Sequence, residues 1–125
     1  MSEYKTYKEL DVWKKARAFV KEVYVITQDF PNEEKYGLMS QMRRCAVSIP
    51  SNIAEGYGKK KKKETLQFLH ISRGSLYELE TQLFIAYDLT FMSEEKLNKL
   101  LSDLEECRRL LSGLINYFEK NISLK

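Results

Sequence analysis

One histidine, two cysteines, two prolines and five glycines are scattered through 125 residues, and each scarcity removes a class of function. With His70 alone, neither a histidine-based metal cluster nor an HExxH zinc motif can be assembled. Cys45 and Cys107 stand 62 positions apart, form no CxxC pair and fall on apolar helical stripes. They read as reduced, buried thiols rather than as a metal or redox centre. No run of about 18 apolar residues exists to span a membrane. The opening MSEYKTYKEL has no apolar region of the signal-peptide kind, so the expected compartment is the cytoplasm. Neither GxxxxGK[ST] nor GxGxxG occurs, and the glycines of GYGKKKKKET are wrongly spaced to cradle a phosphate. Glu78 and Glu80, two apart on a helix, do not face each other as an acid–base pair would. The chain is therefore expected to be no enzyme, with no catalytic residues, no metal and no cofactor.

What remains is a chain that is 43% hydrophobic and 31% charged, expected to fold as a single domain over residues 1–125. The few prolines and glycines punctuate four helical patterns, expected at about residues 8–29, 33–57, 62–90 and 94–120. In the first, Leu10, Trp13, Ala16, Val20, Val23 and Thr27 recur at steps of three and four, and Pro31 ends the pattern. The second opens at Asn32 as an N-cap, with Glu33 and Glu34 suited to the helix dipole. Its stripe is Leu38, Met42, Cys45, Ile49, Ile53 and Tyr57; because the phase holds across Pro50, a kink is expected there rather than an end. The third places Leu69, Leu76, Leu79, Leu83 and Ala86 inward. The fourth is capped by Ser93, with Met92 as a staple onto Leu97, and carries Leu97, Leu101, Leu104, Cys107, Leu111, Leu114 and Phe118. No segment reads as a strand. The expected fold is all-α, an antiparallel up-down-up-down four-helix bundle.

Two segments hold more apolar surface than one bundle needs. VYVI at 23–26 and LFIAY at 83–87 cover most of the helical wheel, and Tyr77, Phe84 and Phe91 repeat at intervals of seven. In this topology both segments lie at the same end of the rod, which points to a self-association patch built from Val23, Tyr24, Ile26, Tyr77, Phe84 and Ile85. A polar row, Gln41, Ser48, Asn52 and Glu55, flanks the second helix's stripe. It reads first as a hydrogen-bond network compensating Pro50 and second as a recognition surface.

The charge is more pointed. Net charge is +3, with 21 Lys and Arg against 18 Asp and Glu, yet without Lys59, Lys60, Lys61, Lys62 and Lys63 the balance would be acidic. The excess thus sits at the start of the third helix, where the macrodipole disfavours it by roughly 0.3–1 kcal/mol per charge. A polyanion bound there would relieve that cost. Arg73 extends the basic site along the helix, and Arg43 and Arg44 are further candidates at the rod's other end. Without a short polar recognition helix, phosphate contact fits better than duplex sequence readout. Tyr57 could stack on a base, although its stripe position suggests core.

Three stretches, ELDVWKKA, FPNEEKYGLMSQMRRCAVSIPSNIAEG and FLHISRGSLYELETQL, resemble the bacterial four-helix-bundle proteins encoded in 23S rRNA intervening sequences. The most specific piece is Ser48-Ile49-x-x-Asn52-Ile53-Ala54-Glu55-Gly56, supported by Gly74-Ser75-Leu76. A related branch comprises the accessory variability determinants of diversity-generating retroelements. The resemblance implies an antiparallel four-helix bundle, a ring-shaped homopentamer, a basic surface suspected of nucleic-acid binding and, in the related branch, a reverse-transcriptase partner. It implies no catalytic activity. The family pattern has a mixed polar and basic segment after Glu55-Gly56; here that segment is all lysine, without a natural N-cap. Two functional readings follow: a homo-oligomeric bundle binding nucleic acid, RNA before DNA, through its basic end, or a protein-interaction scaffold or accessory subunit, for example docking a reverse transcriptase, whose lysines merely keep it soluble or steer the encounter.

Overall fold

The computed structural model describes residues 6–123. Four helices account for most of them: α1 (Asp11–Thr27), α2 (Leu38–Tyr57), α3 (Lys62–Asp88) and α4 (Glu94–Ser123). Among the described residues there is no strand. Cross-helix bonds fix the directions. Lys15 pairs with Asp103 and Glu106 while Lys99 pairs with Glu22, so α1 and α4 run oppositely. Thr65 meets Gly56, Ser72 meets Ile49 and Cys45 meets Ser75, so α2 and α3 do too. His70 faces Glu119 and Arg108 faces Tyr77, reversing α3 against α4. The chain goes up, down, up, down, with α1 diagonal to α3 and no close backbone approach between them.

The helix starts differ from the sequence reading for local reasons. Thr6 and Glu9 make a reciprocal capping box around a 3-10 turn at Tyr7–Glu9, so the chain turns at an extended Leu10 before α1 begins. After Pro31, Asn32–Glu34 also form only a 3-10 turn, and α2 starts at Leu38. Glu34 still serves the helix: its Oε1 accepts the Leu38 N–H at 2.9 Å. A Cβ at Gly37 would lie 2.9 Å from that oxygen, so glycine leaves room for the cap. At the far end of α3, Thr90 adopts a left-handed φ of 66°, and the N–H groups of Thr90 and Phe91 donate to Tyr87 O and Ala86 O. That is a Schellman termination with a β-branched residue where glycine is favoured. Ser93 Oγ then accepts the Lys96 N–H and opens α4.

The core follows the stripes with two rotations. Val12 and Phe19 are buried where Trp13 and Val20 were expected, those two being half-buried; Leu100 is likewise more deeply buried than Leu101. The α2–α3 seam is built differently. Ala46, Gly56 and Ser72 are buried there, and hydroxyls bridge the helices: Ser72 donates to Ile49 O at 2.9 Å and Thr65 to Gly56 O at 2.8 Å. A Cβ on Gly56 would sit 2.8 Å from Phe68 Cβ and 3.0 Å from Thr65 O. Small side chains bring α2 and α3 together, and α2 runs through Pro50 without ending.

Candidate nucleic-acid interface

Close approach at Gly56 leaves only four residues, 58–61, to turn the chain from α2 into α3. Gly58 N–H donates to Ala54 O and Lys59 N–H to Gly56 O, winding down α2. Lys59, Lys60 and Lys61 therefore occupy the turn itself, while Lys62 and Lys63 form the first positions of α3. Lys61 stands at the N-cap with extended backbone (φ −94°, ψ 130°) and no side-chain cap. All five lysines project at one end, and Lys62 alone is half-buried.

Because α4 runs back alongside α3, its last turns pack beside this lysine turn. The result is a cleft of about 340 Å³ lined by Tyr57, Lys59, Lys60, Lys62, Thr65, Tyr117 and Phe118. Phe118 forms its apolar floor, meeting Tyr117 edge-on at 5.3 Å (87°) and Tyr57 at 6.4 Å (84°). Tyr117 keeps 37% of its surface exposed. The Lys59 ammonium lies 5.1 Å from the Phe68 ring centre, a cation–π contact holding that side chain against α3. Thr65's hydroxyl is occupied by Gly56 O. Among the described residues no carboxylate lines the cleft. Cations beside aromatic faces, with few neutral hydrogen-bonding groups, can hold phosphates and stack bases but read little sequence.

The other basic candidates stand apart. Arg73 lies about 16 Å along α3 from Lys62, and its Nη2 donates to His70 Nδ1 at 3.0 Å. This leaves His70 Nε2 toward Glu119, 3.7 Å away, so Arg73 belongs to an α3–α4 tie. Arg43 ties α2 to α1: its Nε donates to Thr27 Oγ1 at 2.8 Å, and its guanidinium stacks 4.5 Å over Tyr24. Arg44 is exposed at the far end, beside Ser40.

The apolar candidates do not form one patch. Val23 is wholly buried and belongs to the core, which corrects its assignment to an interface. Tyr24, under Arg43, flanks α2, while Ile26 is half-buried toward α4 in a groove with Val25 and Leu100. Tyr77, beside Arg108, marks the α4 flank of α3, whereas Glu78, beside Cys45, marks its α2 flank; Phe84 and Ile85 follow about two helical turns later on the same flanks. With α1 and α3 diagonal and no close backbone approach between them, Tyr24 and Ile85 border α2 while Ile26 and Phe84 border α4, so these candidates spread over separate faces.

Of the polar row, Ser48 and Asn52 are bonded and Gln41 and Glu55 are exposed. Asn52 Nδ2 donates to Ser48 O at 2.8 Å. Ser48 Oγ lies 2.6 Å from Cys45 O and 2.7 Å from Ser75 Oγ, and Cys45 Sγ lies 3.1 Å from Ser75 O. With one proton each, Ser48 donates to Cys45 O, Ser75 to Ser48, and the thiol to Ser75 O, a ring closing α2 onto α3. Burial, reinforced by the Glu78 carboxylate, pushes the Cys45 thiol up to about 12; burial raises Cys107 to about 11. Both stay protonated and poorly nucleophilic. The sequence reading missed a second cleft here, about 330 Å³, lined by Gln41, Arg44, Cys45, Ser48, Ser75 and Glu78. It also missed Tyr117, which antiparallel pairing of the start of α3 with the end of α4 could have supplied. Among the described residues no group of three or more His, Cys, Asp or Glu side chains could hold a metal, and no helix is long and apolar enough to cross a membrane.

The family model described as 23S rRNA-intervening sequence protein matches residues 8–113. A solved structure from Bacteroides thetaiotaomicron, titled a protein with unknown function from the S23 ribosomal protein family, superposes with a TM-score of 0.75. It is 20% identical, over 83% of this chain and 97% of that one, and supports the fold alone. A comparison with curated proteins gave no match.

Proposed function

The chain belongs to the 23S rRNA-intervening sequence protein family, and from that premise we propose that it is a non-enzymatic bundle that binds RNA electrostatically through the lysine end. The observation carrying this reading is the cleft at the α2–α3 turn, where Lys59, Lys60 and Lys62 surround exposed aromatic surface with no lining carboxylate. Local physics disfavours lysine at a helix start, and a phosphate ligand offsets both the dipole term and the lysines' mutual repulsion. Both thiols are held protonated, which argues against cysteine chemistry.

The bundle acts as a homo-oligomer in this reading. Exposed apolar side chains on separate faces, Val25 on α1 and Phe84 on α3, suit a heterologous contact in which one face of each copy meets a different face of the next. Such contacts give a ring when the rotation between copies closes and a filament when it does not; a ring of five is the count implied by the family resemblance. A second reading, in which the oligomer docks a protein such as a reverse transcriptase, draws on the same apolar faces. Salt separates the two. With five phosphates neutralised, log affinity for single-stranded RNA should fall against log salt with a slope of about −3.5. Changing Lys59 through Lys63 to Gln should remove most of that slope. RNA binding whose slope survives the change would refute the lysine site, and salt-insensitive capture of a protein would favour docking.

A further inference from the structure

We propose that the cleft between the lysine turn and the end of α4 receives an unpaired nucleotide, making the protein a binder of single-stranded rather than duplex RNA; this rests on the RNA reading above. The argument begins with what the cleft holds and lacks. Its volume of about 340 Å³ falls at the small end of the roughly 300–1,000 Å³ typical of small-molecule sites, whereas a lysine run serving phosphates alone needs no concavity. Its inner wall is aromatic. Phe118 is buried, with Tyr57 and Tyr117 meeting it edge-on, so Phe118's perpendicular contacts orient the Tyr117 ring while 37% of that residue stays exposed. Every base has a π-face, and stacking on such a ring is tolerant of sequence.

The rim is cationic. Lys59 and Lys60 come from the turn and Lys62 from the start of α3, and Lys59 is steadied on Phe68. Thr65 is the one neutral hydroxyl besides the tyrosines, and its proton is already given to Gly56 O. The cleft can therefore stack a base and hold its flanking phosphates without reading a Watson–Crick edge. In A-form RNA the base faces are stacked inside the helix, so a duplex offers the lysines phosphates and 2′-hydroxyls but gives Tyr117 no face along its length to stack on. Tyr117 thus contributes to single-strand binding alone, and the lysines contribute to both.

The test measures anisotropy of a labelled 12-nucleotide single strand and of a blunt RNA duplex with the same number of phosphates. Proteins compared are the parent, Tyr117→Leu, Tyr117→Phe and Lys59/Lys60/Lys62→Gln, each checked for helicity and melting temperature. Tyr117→Leu should weaken single-strand binding roughly five- to hundred-fold, leave the duplex unchanged and preserve the salt slope; Tyr117→Phe should retain parent affinity. The lysine variant should lose both ligands. Equal loss of single strand and duplex in Tyr117→Leu, or no loss of either, overturns the nucleotide cleft while leaving the lysine reading intact. Absence of RNA binding by the parent overturns both.

Discussion

Replacing Lys61 with serine separates what the lysine turn does for folding from what it does for binding. Residue 61 already has the extended N-cap backbone, yet its side chain caps nothing, and Glu64 stands at the third helical position. Lys61→Ser therefore creates a Ser-Lys-Lys-Glu capping box without moving the chain. The new hydroxyl should contribute about 1 kcal/mol, and removing a positive charge from the positive end of the helix roughly 0.3–1 kcal/mol more at low ionic strength. For a domain of this size, about 1–2 kcal/mol raises the melting temperature by roughly 4–8 °C. In RNA binding the same substitution should cost one phosphate contact, about eightfold in affinity at 50 mM salt, with the salt slope shallower by about 0.7. Urea or thermal unfolding and a salt series of RNA affinity measure the two effects on one preparation. A variant no more stable than the parent would refute the claim that lysine is locally unfavourable there. Added stability with unchanged RNA affinity would remove Lys61 from the interface.

Other consequences follow from the packing. Gly56→Ala should destabilise by about 1–2 kcal/mol, an overpacking cost partly offset by helix propensity. Gly74→Ala meets nothing within 4 Å and should stabilise by about 0.5–1 kcal/mol; paired urea titrations showing the same sign for both would contradict the tight seam. Cys45 should resist alkylation at pH 8, because its pKa is raised to about 12 and the thiolate is the reactive species. In the unfolded chain that thiol ionises near 9, so its contribution to stability is intact below pH 9 and lost as pH rises toward 12. Labelling of the native protein as fast as of the urea-unfolded chain would oppose this. Phe84→Asp, at a side chain 45% exposed, should lower the oligomer mass in light scattering with helicity unchanged; an unaltered mass would take Phe84 out of the self-contact.

How much was legible in the sequence varied with the kind of information each feature needed. The helices were readable because Leu69, Leu76, Leu83 and Leu97, Leu104, Leu111 repeat every seven residues and are all buried. Helix starts were less so: Glu34 caps from four residues before α2, and that depends on Gly37's backbone, which no periodicity reveals. In sequence the motif SIPSNIAEG reads as a polar row beside a kink. Its meaning lies across the seam, in Ser48 against Ser75 and Gly56 against Phe68, partners 27 and 12 residues away. Same-end placement on α1 and α3 does not make Tyr24 and Phe84 neighbours, because helices at diagonal corners of the bundle have no close backbone approach. The lysine run was unmistakable in the sequence. Its cleft was not, since Tyr117 and Phe118 reach it only through the return of α4.

The central claim is that RNA meets this protein at the lysine turn. Hydrogen exchange with and without a short single strand tests it most directly, because the first amides of α3 have no intrahelical acceptors and report a bound phosphate sensitively. Slowed exchange over residues 57–65 and around Tyr117, with little change elsewhere, is the expected footprint. Protection confined to the second cleft, at residues 41–48 and 75–78, with the lysine turn unchanged would contradict it.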